Sequence, residues 1–324
     1  MENKERKLFE VAFEITYQCN LKCKHCYNGE DIRLRNDEMN TEEVKYALTK
    51  LKDFGVQKLK IGGGEPLIRK DFFEIYGFAS ELGFEVDFAS NGIYVKKNLD
   101  KIKKAEVKKI QLSLDNIGKK HDYIRNREGL FEIVKDTVKV LSENDIKINI
   151  ATTLTKYNHN DLREILDFCK NNNIFRWKLM KYIPKNTSDP LLLTPLEYKI
   201  AVEKTLEYKA KKDVNPEIIV AREFDQIHVP KGYNDMQCFG GKTFLSLKPN
   251  GDITPCSYIY DIPCGNILHD SMDKIWDSYE MINFSIDTFD TSCNSGSKCR
   301  GGCKAITHFL KLEGCDPYCW VKNK

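Results

Sequence analysis

The sequence predicts an α/β protein: a parallel sheet with crossover helices, followed by a small cysteine-rich domain. Three observations carry this. Short β-rich runs alternate with amphipathic helical stretches from residue 9 to about 183. Pro184, Pro190, Pro195, Pro216 and Pro230 then punctuate the next stretch. Finally, residues 237–324 hold eight of the twelve cysteines, too many for an ordinary core of that size. The expected division is a core over 1–183, a bridging segment over 184–236 and a metal domain over 237–324.

Strands are expected near Val11–Thr16, Val56–Ile61, Glu85–Ser90, Lys109–Leu114, Lys147–Thr153 and Arg176–Lys181. Between them, helices are expected at Thr41–Phe54, Lys70–Leu82, Lys96–Lys104, Phe131–Asn144 and Asp161–Asn172. In the first of these, Val44, Leu48 and Leu51 recur at helical spacing, and Asn40 or Thr41 can cap the start. Six β–α units in sequence suit an open doubly wound sheet as well as a partial barrel. The bridging segment offers one good helix, Pro195–Lys212. Phe244–Leu247 before Pro249-Asn250-Gly251 reads as a β-hairpin presenting Cys256. Cys169, beside Leu166 and Phe168, reads as a small buried hydrophobe.

Composition narrows the function classes. The 51 basic and 48 acidic side chains leave a net charge of +3, which gives no argument for nucleic acid. The start, MENKERKLFE, lacks the apolar core of a signal peptide, and no apolar run approaches a membrane span. A soluble cytoplasmic protein that keeps clustered thiols for metal is expected.

The most informative stretch is Cys19-Asn20-Leu21-Lys22-Cys23-Lys24-His25-Cys26-Tyr27, directly after the first apolar run. Three thiolates on one loop can ligate three irons of a cubane [4Fe–4S] cluster, leaving the fourth iron open to a small molecule. A structural zinc site wants four ligands in paired arrangements; this loop supplies three cysteines, with His25 badly placed between two of them. The C-x3-C-x2-C spacing with the aromatic Tyr27 after it resembles the signature of the radical S-adenosylmethionine (SAM) enzymes. The resemblance implies a partial (β/α)6 TIM-like barrel. It also implies SAM bound through its amino and carboxylate groups to the open iron, and reductive cleavage to a 5′-deoxyadenosyl radical. An external electron donor such as flavodoxin or ferredoxin goes with it.

Gly62-Gly63-Gly64-Glu65-Pro66 follows the second strand, where glycines allow close backbone approach to a ligand and an exposed carboxylate can take an ammonium group. It resembles the family's segment for the SAM amino group, implicating Gly63, Gly64 and Glu65. Ser90-Asn91 ends the third strand, and similar segments lie near the methionine part of SAM. Ser113 and Asp115 end the fourth strand and Thr152 the fifth; ligands of parallel α/β folds sit at such ends. Arg125 lies where relatives place an arginine on the SAM carboxylate. Each of these also reads as strand-end capping or a surface charge.

Gly251-x4-Cys256 with Cys293, Cys299 and Cys303 at C-x5-C-x3-C resembles the SPASM domain, which holds up to two auxiliary [4Fe–4S] clusters. The family's connectivity implies Cys238, Cys256 and Cys303, with Cys264 as a fourth, for one cluster. For the second it implies Cys293, Cys299 and Cys319, with either Asp290 or Cys315. Asp290 stands where the family pattern has a cysteine. Two zinc knuckles are the alternative that C-x5-C-x3-C alone leaves open, and the N-terminal cysteine triad argues against them.

The expected function is hydrogen abstraction from a peptide or protein substrate. Ser257 follows Cys256 where the sulfatase-maturing branch has an aspartate base, which ranks formylglycine formation lower. Only about ten residues precede the first strand, so a peptide would need direct docking or a separate recognition protein. Tyr258 and Tyr260 are candidates for a substrate wall or for hairpin packing. The Cys299-x-Gly-Gly-Cys303 and Asp316-Pro-Tyr-Cys319 endings are shared with haem- and quinone-cofactor branches, the enzyme alternative. An iron–sulfur electron carrier is the non-enzymatic alternative, and it has no use for a loop with an open iron.

Overall fold

The computed structural model describes residues 6–211, 215–220, 238–286, 302–312 and 316–318. Every strand expected in the first part of the chain forms: β1 (Glu10–Glu14), β2 (Lys58–Gly62), β3 (Glu85–Ser90), β4 (Lys109–Ser113), β5 (Lys147–Leu154) and β6 (Arg176–Lys181). The helices among them are α1 (Glu30–Arg33), α2 (Thr41–Asp53), α3 (Phe72–Glu81), α4 (Leu99–Lys104), α5 (Lys119–Arg125), α6 (Leu130–Ser142) and α7 (Leu162–Asn171). Then come α8 (Pro195–Lys209), β7 (Glu217–Val220), β8 (Phe244–Leu247), β9 (Asp252–Thr254), β10 (Gly265–Asn266), α9 (Met272–Trp276), α10 (Tyr279–Ser285) and α11 (Lys304–Phe309).

The chain forms two compact units. The first draws on Met1–Asn20, Asn28–Val107 and Phe239–Ile286, the second on Leu21–Tyr27, Lys108–Cys238 and Asp287–Lys324. In the first unit the strand order is β10-β9-β8-β1-β2-β3. Strands β8, β1, β2 and β3 run parallel, while β9 and β10 turn back antiparallel. Its core is built from alternate β1 residues, Val11 and Phe13, and from Val44, Ala47, Leu48 and Leu51 of α2. The α2 start is fixed by a capping box, in which Asn40 and Glu43 exchange side chain-to-backbone bonds. Phe72 of α3 packs edge-on against Phe88 of β3, ring centroids 5.1 Å apart.

In the second unit β4-β5-β6-β7 are all parallel. Near-continuous apolar burial is the mark of such strands, and Trp177 of β6 is its largest fully buried side chain. Cys169 is buried on α7 as expected.

Three features depart from the expectation. Residues 217–220 add a seventh parallel strand inside the supposed bridging segment; Pro216 before it reads as linker punctuation, yet proline is tolerated at a strand start. Strand β8 is one arm of the expected hairpin, but it also pairs parallel with β1, Glu10 opposite Phe244. The loop between β4 and α6 holds a short helix, α5, that starts at Gly118 in the left-handed region without a side-chain cap and carries Arg125 as its last residue.

Candidate metal centre

The cysteine loop leaves β1 through Thr16, Tyr17 and Gln18. Glu38 accepts from Thr16 Oγ1 and from Tyr17 N–H, both at 2.8 Å. The glycine segment then packs on this stretch: Gly64 N–H donates to Thr16 O and Glu65 N–H to Gln18 O, each at 2.8 Å. A Cβ at Gly64 would stand 2.0 Å from Gln18 O, and one at Gly63 would stand 2.5 Å from Thr16 O. These two glycines therefore serve backbone-to-backbone approach just ahead of Cys19, where the sequence suggested approach to a ligand.

Glu65 corrects a second expectation. Its carboxylate is buried rather than exposed, and it accepts from Ser90 Oγ (2.9 Å), Asn91 N–H (2.8 Å) and Leu67 N–H (3.3 Å). A buried carboxylate needs such donors, and here they join the ends of β2 and β3. Asn91 in turn donates through Nδ2 to Asn20 Oδ1 at 2.8 Å, which ties the end of β3 to the residue after Cys19.

Within the second unit, Cys23 and Cys26 sit on a segment locked to the end of α5, where Lys24 N–H donates to Ile124 O at 2.9 Å. Asp115, fully buried, is the hub. Its Oδ2 accepts from Arg125 Nε at 2.6 Å and lies 3.5 Å from His25 Nε2, while Oδ1 accepts from Thr153 N–H at 2.9 Å. Its own N–H donates to His121 Nδ1 at 3.1 Å, and its carbonyl accepts from Asn158 Nδ2 at 2.8 Å. Burial alone would raise the Asp115 carboxyl, but Arg125 beside it, with the Thr153 N–H, holds it down at about 2. Burial pushes His25 and His121 to about 4 against the pull of Asp115, so both rings are neutral. Burial also raises the Cys23 thiol, and Arg125, whose Nη1 lies 3.9 Å from Cys23 Sγ, opposes it.

Thr152 is the third correction. Its hydroxyl donates to Leu114 O at 2.6 Å and accepts from Trp177 Nε1 at 3.0 Å, which turns it into the core. Ser113 and Tyr27 stay half-buried at the places expected.

In the C-terminal half, Cys303 N–H donates to Asp316 Oδ2 at 3.0 Å, and Lys181 Nζ at the end of β6 reaches the same oxygen at 2.5 Å. Tyr318 N–H takes Asp316 Oδ1 at 2.9 Å. Gly302 stands at φ +77, and a Cβ there would meet Asp316 Cβ at 2.4 Å, which explains glycine before Cys303. Burial pushes the Cys303 thiol up to about 12, and Cys238 lies near enough to act on it electrostatically. In the first unit Cys256 is half-buried in the turn after β9. Cys264 is buried, its N–H bonded to Ile253 O at 2.7 Å and its thiol raised by burial to about 11. Asp290, Cys293, Cys299, Cys315 and Cys319 lie outside the described residues.

The first unit also holds a buried ion pair. Lys248 Nζ donates to Glu14 Oε1 at 2.5 Å and to Ser257 O at 2.7 Å, and Tyr260 donates its hydroxyl to Glu14 Oε2. The Tyr260 hydroxyl is thus spent on the end of β1. The sequence assigned no role to Glu14, Lys248, Lys181 or His121, and it placed His25 and Asp316 only as neighbours of cysteines. A usable signal existed for two of them: charged residues of opposite sign, Glu14 and Lys248, sit within or beside otherwise apolar strand runs.

Against family models, residues 13–169 match the Radical SAM superfamily and residues 238–304 match SPASM, an iron–sulfur cluster-binding domain. The chain is a radical SAM enzyme with an SPASM domain. It is 25% identical to an AdoMet-dependent heme synthase of Methanosarcina barkeri, over 95% of each chain. It is likewise 25% identical to the sporulation killing factor maturation protein SkfB of Bacillus subtilis, over 87% of this chain and 68% of that one. The structure of Streptococcus suis SuiB bound to precursor peptide SuiA superposes with a TM-score of 0.79 at 20% identity, covering 97% of this chain and 76% of SuiB. That likeness establishes the fold, a partial (β/α)6 barrel with a cysteine-rich cluster domain.

The cofactors of this radical SAM chain are [4Fe–4S] clusters and SAM. Its donor set fits them: apart from the core residue Cys169, the described cysteines supply seven sulfurs, none of them in a disulfide, and all-thiolate sets are what such clusters use. Among the described residues, no three His, Cys, Asp or Glu side chains already converge as a metal-binding group. Also among the described residues, no helix is long and apolar enough to cross a membrane. When bound, the cluster and SAM supply the 5′-deoxyadenosyl radical. The chain's part is to hold the loop on α5 and to set the Arg125 guanidinium beside Cys23.

Proposed function

We propose that this radical SAM enzyme abstracts hydrogen from a peptide or protein side chain, leading to a crosslink, an epimer or a related modification. One observation carries the choice of substrate. Among the described residues, Arg125 is paired with Asp115, Lys181 with Asp316 and Lys248 with Glu14, so these three cations beside strand ends and cysteines are already engaged inside the protein. A polycarboxylate substrate calls for unspent cations, whereas a neutral peptide segment does not. The likeness to SkfB and to SuiB supports the same reading.

In this reading Cys19, Cys23 and Cys26 hold the SAM-binding cluster, and Tyr27, Ser90, Asn91 and Ser113 line the cofactor. Cys238, Cys256 and Cys303 belong to one auxiliary cluster. Cys293, Cys299 and Cys319, with Asp290 or Cys315, belong to the other. The division at 183 and 237 separates the radical-forming part from the auxiliary clusters. An external flavodoxin- or ferredoxin-like donor supplies the electron, the peptide docks directly or is delivered by a separate recognition protein, and the setting is the cytoplasm.

A second reading rests on a specific observation: the likeness to a heme synthase runs over nearly the whole of both chains. In that case the substrate is a haem precursor. The deciding experiment incubates enzyme, SAM and reductant with a peptide encoded beside the gene and, separately, with an iron porphyrin precursor. Mass spectrometry is expected to find a peptide lighter by two hydrogens, or one carrying deuterium from heavy water. Turnover of the porphyrin with every peptide unchanged sinks the peptide reading.

A further inference from the structure

We propose that Arg125 serves the cluster thiol of Cys23 rather than the SAM carboxylate, and sets how readily the three-cysteine cluster accepts an electron. The geometry is that of a held donor. Nε is spent on Asp115 Oδ2 at 2.6 Å, which aims Nη1 at Cys23 Sγ, 3.9 Å away. Asp115 cannot swing, since Thr153 N–H holds its other oxygen, and His121 Nδ1 and Asn158 Nδ2 hold its backbone. The loop cannot drift from α5 either, because Lys24 N–H is bonded to Ile124 O, one residue before the arginine. The Arg125 side chain is 12% exposed and that of Asp115 is not exposed at all, so little water screens either charge.

Reduction adds one electron to the cluster, and part of that charge falls on its sulfurs. Hydrogen bonds to cluster sulfurs and nearby charge are known levers on such potentials. A guanidinium facing the Cys23 sulfur therefore favours the reduced state, and Asp115, by neutralising it, moderates the effect. Two neighbouring residues then act with opposite signs, which a merely structural role would not produce. The inference rests on the radical SAM assignment and is independent of the peptide substrate.

The test is an EPR-monitored redox titration of the full chain with its clusters loaded, following the signal that changes when SAM is added. Arg125→Gln is expected to lower the reduced-to-oxidised ratio at a fixed potential about tenfold, a shift of about 59 mV to more negative values for a one-electron couple. Arg125→Lys, which keeps the charge and loses the fork, should shift it less in the same direction. Asp115→Asn should shift it the opposite way. If Arg125→Gln does not hold iron and sulfide, the Lys and Asn variants decide, and their shifts must fall on opposite sides of the unmodified protein. The proposal is overturned by shifts of the same sign. It is equally overturned by an unmoved potential with weakened SAM binding, which would return Arg125 to the SAM carboxylate. A protein showing no SAM-responsive signal before any substitution would instead count against the cluster assignment itself.

Discussion

Cys23 and Cys303 each stand beside a buried cation–carboxylate pair, Arg125–Asp115 for the first and Lys181–Asp316 for the second. The order of the partners is reversed. At Cys23 the cation faces the thiol and the carboxylate lies behind it, bonded to the end of β5. At Cys303 the carboxylate faces the backbone N–H, and the lysine at the end of β6 neutralises it from behind. The first arrangement puts a donor on the sulfur itself, while the second bonds the peptide group and reaches the Cys303 sulfur only through space, Lys181 lowering its thiol and Asp316 raising it. The same pair of charges therefore teaches different things depending on which member touches the cysteine. It also predicts that the two regions fail differently when broken.

The largest difference should come from the thiols themselves. Cys23→Ala removes one of three anchoring thiolates, and 5′-deoxyadenosine formation with a strong reductant should fall to background. The triple change of Cys19, Cys23 and Cys26 to Ala should nonetheless retain iron and sulfide near one or two cubanes, about four to eight irons by the thiolate count. Undiminished SAM cleavage in the single variant contradicts the radical assignment of the first region. Stoichiometric zinc without sulfide in the triple variant contradicts the cluster assignment of the second.

The next effect belongs to the second pair. Lys181→Met leaves Asp316 buried without its cation, and breaking such a pair from one side costs about 3–5 kcal/mol. Urea unfolding should register that loss, and auxiliary iron should drop, because Asp316 no longer holds a fixed place under Cys303. SAM cleavage should persist. If cleavage and auxiliary iron disappear together, the two regions are not separable in the way the pairs suggest.

How much of this was legible follows from how far apart the interacting residues lie. The six strands and their helices were readable because periodicity is local, and the Thr41–Asp53 helix even shows its Asn40 cap. The cysteine loop was readable because its three thiols fall within eight residues. By contrast, β8 pairs with β1 across more than two hundred residues, and nothing near Phe244 announces it. The Lys181–Asp316 pair is hidden for the same reason, and for Glu14 and Lys248 the strand context marks each charge as unusual without saying that the two meet. Glu65 lies three residues past β2 and Thr152 two residues before the end of β5, yet their polar groups are spent inside the protein. Position along a strand fixes which residues are near a site, but burial decides what their polar groups are spent on.

The smallest effect sharpens the first region alone and depends on pH. His121 is buried beside Asp115, and burial lowers its pKa from 6.5 to about 4, partly opposed by Asp115 and Asp122 and helped by Arg125 and His25. Its Nδ1 accepts the Asp115 N–H, so a proton there would break that bond, and Nε2 is buried without a partner. Between pH 6.5 and 4 the unfolded chain binds a proton that the folded chain does not. Stability from this group is therefore full above about pH 6.5 and is lost as the pH falls through that window. By pH 5 the loss is about 2 kcal/mol. In His121→Asn no ring titrates, so the slope of urea stability against pH between 7 and 5 should flatten, even if the value at pH 7 is lower because the site is repacked. An unchanged slope would mean that His121 is not held neutral by burial. The Asp115 hub would then be a looser anchor for Cys23 than its hydrogen bonds describe.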